Sequence, residues 1–185
     1  TENNLRVKEV LERESSAYDK LFTIAAGSYE RTPMDEVFDT AILDYLNQSE
    51  KSIVKEKNQE LILSPFQVER GYAIYTFPSG EKVIRGQYRP ISALTGSDSD
   101  FCDTCTRYES EGLRIIAIAT AQKDSEQYIL QSAVIFEDPL KPDAVETYHQ
   151  LSKLGINVKV ITGDSLQVAE YVGNILHPAI MEKFA

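Results

Sequence analysis

The chain holds few cysteines and few histidines, which limits the metal and redox chemistry that it can support. Cys102 and Cys105 are the only cysteines in 185 residues, and they form Cys-Asp-Thr-Cys, the spacing of half a zinc site or of a redox pair. A structural zinc would need two further ligands, yet the only histidines, His149 and His177, lie far away in the sequence. The polar flanks favour a helix with a solvated face, and a metal or redox site is the less favoured alternative. So few cysteines fit a reducing compartment.

Long apolar runs and an excess of positive charge are also lacking. No apolar stretch approaches the roughly 18 residues that cross a bilayer as a helix. Lys and Arg number 19 against 29 Asp and Glu, and the formal net charge of −10 argues against a nucleic-acid surface because phosphate backbones would be repelled. A local basic pocket for a small phosphate ligand is still compatible with this charge. The chain contains no Gly-x-x-x-x-Gly-Lys-Ser/Thr loop to cradle phosphates.

Apolar residues make up 42% of the chain, enough for the core of one large or two small domains. Apolar alternation and helical spacing predict most of the elements. The clearest helix start is at Pro33, with Thr32 as its N-cap. We predict strands over residues 4–12, 60–66 and 113–120, a hairpin over 72–87, and helices over 15–29, from 33 onward and near 99–111.

The last third of the chain predicts a parallel βαβ unit. Residues 128–137 (YILQSAVIFE) and 156–162 (INVKVIT) are typical of strands, and residues 141–154 between them have helical apolar spacing, with Gly155 closing the helix. Ligands of open α/β sheets bind beyond the carboxyl ends of the strands. We therefore expect Asp138 and the Thr162-Gly163-Asp164 turn to meet at one rim and to form a phosphate site.

The order of elements predicts an α/β protein with two modules. Residues 1–130 are expected to form an α+β domain with an antiparallel sheet and helices, and residues 131–185 a partial βαβ segment. The boundary is placed within a few residues of 130, where the chain is polar and the organisation changes.

Several segments, taken in chain order, resemble the P-type ATPases, the cation pumps that form an aspartyl phosphate. The most specific are Asp138-Pro139-Leu140-Lys141 and Thr162-Gly163-Asp164, which match the Asp-Pro-x-Lys/Arg and Thr-Gly-Asp signatures of the family's HAD-like phosphorylation domain. The others resemble its nucleotide-binding domain: Asp35 to Leu43 (DEVFDTAIL), Pro65 to Arg70 (PFQVER), Arg85-Gly86-Gln87 in place of Lys-Gly-Ala, and Gly112 to Ala119 (GLRIIAIA).

The resemblance implies an ATP site. Phe66 would stack on adenine, and Asp39, expected on the exposed side of its helix, would accept the adenine amino proton or position a water. Gly86 would let the ligand approach the backbone, and Arg114 would fork onto a phosphate or ribose oxygen. The full set of implied nucleotide-binding residues is Asp39, Phe66, Arg70, Arg85, Gly86, Arg114 and Ile116.

The resemblance also implies that Asp138, Thr162, Gly163 and Asp164 form the γ-phosphate and Mg²⁺ environment of the full enzyme, so that ATP and Mg²⁺ are its cofactors. Thr1 to Asn4 look like the residues after Asp-Lys-Thr-Gly-Thr-Leu, so the chain is expected to begin just after the aspartate nucleophile. We expect a cytoplasmic ATP-binding part of a membrane cation pump, not catalytic alone. Its partners would be the remaining phosphorylation, actuator and transmembrane domains.

Two departures from the family pattern weaken the expected affinity for ATP. Gln87 adds bulk where the family has alanine, and Gly71-Tyr72 replaces a basic residue. The alternative is a stand-alone HAD-like fold, or a regulatory or interaction module, without pump activity. A phosphatase of that fold would keep an Asp-x-Asp motif after its first strand, and none occurs near the start of this sequence.

Overall fold

The structure, a computed structural model, describes residues 5–13, 17–27, 33–48, 60–96, 99–161 and 166–176. These ranges hold six strands and six helices. The strands are β1 Arg6–Glu12, β2 Ile62–Gln67, β3 Tyr72–Thr76, β4 Lys82–Gln87, β5 Arg114–Ala121 and β6 Ile129–Glu137. The helices are α1 Ala17–Ala26, α2 Pro33–Gln48, α3 Tyr88–Thr95, α4 Ser99–Ser110, α5 Ala144–Lys153 and α6 Leu166–Leu176. None of these described helices is long and apolar enough to cross a membrane.

The six strands form one sheet in the order β1-β6-β5-β4-β3-β2, and every neighbouring pair is antiparallel. The β3–β4 hairpin closes at Gly80, which has φ 88° and donates its N–H to the Phe77 carbonyl at 2.8 Å. Glycine takes this left-handed conformation without steric cost. The predicted hairpin over residues 72–87 is therefore confirmed.

Helices cover both faces of the sheet. On the α2 face, α1 and α2 pack over a buried cluster that includes Tyr75, Val83, Ile118, Val134 and Phe136. On the opposite α4 face, α3 and α4 pack over a second cluster that includes Ile84, Ile91, Cys105, Ala133 and Ile135. Because successive strand residues point to opposite faces and both faces are covered, the central strands β5 and β6 are largely apolar at successive positions. Burial of each large apolar side chain contributes about 1.5–3 kcal/mol.

The strands and helices predicted for the first 120 residues are confirmed, and α2 begins at Pro33 as expected. Thr32, its predicted N-cap, lies outside the described residues. Helix α3 has no counterpart among the predicted elements. It follows β4 directly and carries Pro90 in its first turn. Proline is tolerated in the first turn of a helix, but in a sequence it is more often read as the sign of a loop. Helix α6 was likewise not predicted.

The predicted parallel βαβ unit is wrong in the described part of the chain. β6 is antiparallel to both neighbours, β1 and β5. Residues 156–161 form no strand and are exposed. The helix between them is present as α5 and ends as expected, with Gly155 at φ 74° donating its N–H to the Ser152 carbonyl at 3.0 Å.

The division of the chain into two modules stays a prediction, and β6 bears on its position. β6 is hydrogen-bonded to β1 on one side and β5 on the other, so the antiparallel sheet continues beyond residue 130 to Glu137. Any boundary that respects the sheet therefore follows Glu137.

Candidate functional site

Several candidate residues lie toward one end of the sheet, where β1, β3 and β5 begin and β2, β4 and β6 end. We call this end the upper rim. Strand register defines it through the pairs Arg6–Glu137, Arg114–Phe136, Gln87–Ile116, Gly86–Tyr72 and Gln67–Tyr72. Phe66, Arg85, Arg114 and Asp138 all lie within a few residues of it along their strands.

Arg85 forms a buried ion pair beneath α2. Its guanidinium donates from Nη1 to Asp39 Oδ1 and from Nη2 to Asp35 Oδ1, the latter at 3.2 Å, and lies 5.2 Å from the Tyr75 ring centroid. Arg85 is only 5% exposed and Asp39 only 3%. Two carboxylates and an aromatic face compensate the desolvation of this cation.

The prediction that Asp39 lies on the exposed side of its helix is wrong. Asp39 precedes the buried Ile42 and Leu46 by three and seven residues, so it belongs to the stripe of α2 that faces the sheet. Asp35 lies one turn earlier on the same stripe. The spacing of four residues between Asp35 and Asp39 indicates that both lie on one side of α2. It could have identified Asp35, which is not among the site residues predicted from sequence.

Phe66 lies across the sheet from Arg85. The β2–β3 register shifts between the pairs Ser64–Ile74 and Gln67–Tyr72, so Pro65 and Phe66 together oppose Ala73. Ala73 in turn pairs with Arg85. Two strand spacings separate β2 from β4, about 10 Å. Alternation from Gln67 places Phe66 on the α2 face, with 47% of its surface exposed. A flat aromatic ligand can therefore reach this ring.

Arg114 and Ile116 share the α2 face with Arg85. Ile118 pairs with Arg85, and residues 114 and 116 follow on the same side of β5 by alternation. Arg114 is about 13 Å further along the strand at 3.3 Å per residue. Its Nη1 lies 3.6 Å from Asp138 Oδ2, whereas Ile116 packs against the core cluster. Arg114 is thus at the rim, one strand beyond Arg85.

Arg70 lies on the other face of the sheet. Its Nε donates to the Tyr72 carbonyl at 2.8 Å and its Nη2 to the Pro65 carbonyl at 2.7 Å. The guanidinium lies over the Tyr72 ring at 5.0 Å, and Tyr72 packs against the α4-face cluster. Arg70 therefore stabilises the β2–β3 turn through hydrogen bonds and does not lie on the same face as Phe66 and Arg85.

The space beside Gly86 is filled by protein backbone. A Cβ at this position would lie 2.3 Å from the Gly71 carbonyl oxygen and 2.5 Å from Tyr72 Cα. The space that glycine leaves is used by β3 and the turn before it, so the expectation that a ligand approaches the backbone at Gly86 is not met.

Asp138 follows β6 at the rim, and its buried Oδ1 has no hydrogen-bond partner within the described part of the chain. Thr162, Gly163 and Asp164 lie outside the described residues. Mg²⁺ takes oxygen ligands in octahedral geometry and usually binds one or two carboxylates plus phosphates. A single carboxylate beside Arg114 does not by itself make such a site. Within the described ranges, no group of three or more His, Cys, Asp or Glu is placed to hold a metal.

The two cysteines lie on α4 and face the sheet. Cys105 is fully buried, and Cys102 Sγ lies 3.4 Å from Ser92 Oγ. Burial raises the pKa of the Cys105 thiol to about 12, so it carries no thiolate near neutral pH. The arrangement fits a packing role for Cys105.

We expect one thiol to react in the folded protein and two in the unfolded protein. Iodoacetamide at pH 8 should alkylate Cys102, which is partly exposed, and leave Cys105 unmodified. Tandem mass spectrometry checks this, because Cys102 and Cys105 share one tryptic peptide and only its fragment ions separate the two sites. Urea-unfolded protein is the control, and equal modification of both sites in native protein would contradict the burial of Cys105.

A shallow depression of about 830 Å³ lies beside α5. It is lined by Pro142, Val145, Glu146, His149, Gln150, Ser152 and Lys153. None of the candidate nucleotide-binding residues contributes to it.

Comparison with known proteins decides the relationship. No family model matches the chain. It is 27% identical over 185 residues to the plasma membrane ATPase of Zygosaccharomyces rouxii, and 26% and 23% identical to plasma membrane ATPase 1 of Saccharomyces cerevisiae and of Candida albicans. Each alignment covers 92% of this chain. The chain is thus similar in sequence to plasma membrane ATPases over nearly its whole length. This confirms the resemblance carried by the sequence motifs.

The fold agrees with that relationship. A crystal structure of a zinc-transporting PIB-type ATPase in the E2P state matches 94% of this chain and 25% of that chain, with a TM-score of 0.51 and 15% identity. The predicted α/β class, with its antiparallel sheet and helices, is confirmed. The chain spans about a fifth of the length of the P-type ATPases that it matches in sequence.

Proposed function

We propose that this chain is the nucleotide-binding part of an ATP-driven cation pump, and that it presents ATP to an aspartate elsewhere in that pump. The partners would then be the phosphorylation, actuator and transmembrane domains, and the chain would lie on the cytoplasmic side of the membrane. Its boundary with the phosphorylation domain would follow Glu137. The residues that select the transported cation would lie in the membrane helices of the pump.

The observation that carries the proposal is the half-exposed Phe66 on the same face as Arg85. Stacking on an aromatic ring contributes about 1–3 kcal/mol per base, and every purine offers a flat face for it. Phe66 lies on β2, an edge strand of the described sheet, with 47% of its surface exposed. The similarity to plasma membrane ATPases supports the assignment of the ligand as ATP, with Mg²⁺ carried by its phosphates.

Phe66→Ala is expected to weaken ATP binding roughly 5- to 150-fold, the equivalent of one lost stacking contact. The fold should persist, because the side chain is half exposed on an edge strand. Isothermal titration with ATP measures the affinity, and circular dichroism checks the fold.

Val68→Ala is the matched control, since Val68 follows two residues later and is 81% exposed. It removes exposed apolar side-chain surface outside the proposed stacking position. Equal affinities for the two variants would remove Phe66 from the site.

The second candidate function is a non-catalytic interaction module. It is favoured by the ion pairs that Arg85 and Arg114 form with carboxylates of the protein. These are the two cations that were expected to bind phosphate. A folded sample that releases no heat with millimolar ATP would support this function and contradict the nucleotide site.

A further inference from the structure

Helix α4 carries two thiols on the side that faces the sheet. Cys102 and Cys105 both belong to the cluster on the α4 face, the face opposite to Phe66 and Arg85. Residues three apart share one side of a helix, with Cβ atoms about 5–6 Å from each other. Cys105 is fully buried and Cys102 is partly exposed. The two residues therefore form a dithiol with one buried and one accessible sulfur.

The hydroxyl of Tyr88 is buried beside this dithiol and has no hydrogen-bond partner among the described residues. Tyr88 is only 4% exposed and lies in the same cluster. Burial raises the pKa of its phenol, and the neighbouring Cys102 side chain raises it further. A thiol is a weak acceptor, whereas a thiolate is charged and accepts strongly. This buried hydroxyl would therefore gain a hydrogen bond if the dithiol were deprotonated.

The chemistry of the donors limits the ion that could deprotonate them. Thiolates are soft ligands and select Cu(I), Zn²⁺ or iron–sulfur clusters. Zinc and iron–sulfur sites take about four ligands. Within the ranges that the structure describes, no group of three or more His, Cys, Asp or Glu is placed to hold a metal. Cu(I) is stable between two sulfurs and so fits a dithiol that has no further ligands of this kind.

The spacing of the two thiols favours a bridging ion over a disulfide. The Cβ atoms of a disulfide lie about 3.5–4.5 Å apart, closer than the roughly 5–6 Å of an undistorted helix. An ion between the sulfurs adds two bonds of about 2.3 Å each, the length of a zinc–thiolate bond, and so spans the wider gap. Helix α4 could therefore hold the ion without unwinding.

We propose that Cys102 and Cys105 form a Cu(I) site on the α4 face of the sheet, with Tyr88 as the hydrogen-bond donor to the metal-bound thiolate. Both thiols lose their protons to solvent when the ion binds, so the complex carries one net negative charge. Cys102 ends the first turn of α4, where the helix dipole favours negative charge, and its partial exposure gives the ion access from solvent. The site does not depend on the proposed nucleotide-binding function.

Competition for Cu(I) between the chain and the indicator bicinchoninate, without oxygen, tests the proposal. The chain should bind one Cu(I) per molecule, and its circular dichroism should be the same with and without the ion. Cys105→Ser should weaken binding about 100-fold or more, because one of the two thiolates is lost. Cys102→Ser makes the same test at the partly exposed position, in case the buried substitution prevents folding.

Tyr88→Phe separates the proposed hydrogen bond from packing. Phenylalanine keeps the ring and removes a buried hydroxyl that lacks a partner in the described part of the chain, so the urea midpoint should stay the same or rise. The Cu(I) affinity should nevertheless fall about 10- to 100-fold, the usual effect of removing a partner of a metal ligand. Tyr108→Phe is the control, because the Tyr108 hydroxyl donates to Glu9 instead, and its Cu(I) affinity should match that of the unmodified chain.

Three results would overturn the Cu(I) site. They are the absence of Cu(I) binding by the folded chain, an affinity that neither cysteine substitution changes, and binding that abolishes the helical signal. An equal Cu(I) affinity in Tyr88→Phe and Tyr108→Phe would contradict the role of Tyr88.

Discussion

Replacing Gly86 with alanine is expected to lower the free energy of unfolding by about 3 kcal/mol or more, or to prevent folding. The new methyl group would meet the Gly71 carbonyl oxygen at 2.3 Å and Tyr72 Cα at 2.5 Å. Both are backbone atoms of the neighbouring strand and its turn, so no side-chain rotation can relieve the contact. The Gln87 N–H also donates to the Gly71 carbonyl at 2.8 Å, which ties that oxygen in place.

Urea denaturation followed by circular dichroism measures the effect as a shift of the midpoint by roughly 1 M or more. Gly173→Ala is the control, because Gly173 lies in α6 and none of the described residues comes within 4 Å of the position of its added Cβ. Alanine there should be neutral or stabilise by up to about 1 kcal/mol. A Gly86→Ala variant as stable as the parent would show that β3 and β4 are not packed as closely as described.

The antiparallel part of the fold was readable from sequence because its signals are local. The alternation of β3 and β4 around Pro78-Ser79-Gly80 defines a hairpin within 16 residues, and Pro33 marks the start of α2. Such patterns do not depend on which other segments the strand meets. The hairpin and the helix start can therefore be predicted even when the overall fold is unknown.

The direction of β6 was not readable in the same way. Its largely apolar sequence is typical of a strand buried on both faces, a pattern most common in parallel sheets. Here helices cover both faces of an antiparallel sheet, so β6 has the same composition with the opposite pairing. Residues 156–161 alternate like a strand, but pairing needs a neighbour that the sequence pattern alone does not specify.

The candidate site, like the fold, is predictable from sequence only in part. The resemblance of the Pro-Phe segment indicates Phe66 from sequence, whereas the partner of Arg85 lies 46 residues away on another element. The sequence pattern predicts a charge at each position but does not tell which charges neutralise each other. The burial of the Asp39–Arg85 pair is therefore the part of the site that only the folded chain reveals, and its energetic weight can be measured.

Asp39→Ala is expected to destabilise the fold by about 3–5 kcal/mol, because it leaves a buried guanidinium without its closest carboxylate. The double variant Asp39→Ala/Arg85→Met should recover much of that loss, since it removes both charges and fills the space of the arginine stem with an apolar side chain. Urea midpoints of the single and double variants measure the two values.

Asp44→Ala is the control for removal of an acid from the same helix, and it should change stability by no more than about 0.5 kcal/mol because Asp44 is exposed. If Asp39→Ala cost no more than this control, the pair would contribute nothing that solvent cannot replace. If the double variant were as unstable as the single one, the loss would come from packing around Asp39 and not from an uncompensated charge. The expected pattern, a large single cost that the second substitution reverses, would identify Arg85 as a cation whose charge is balanced inside the protein.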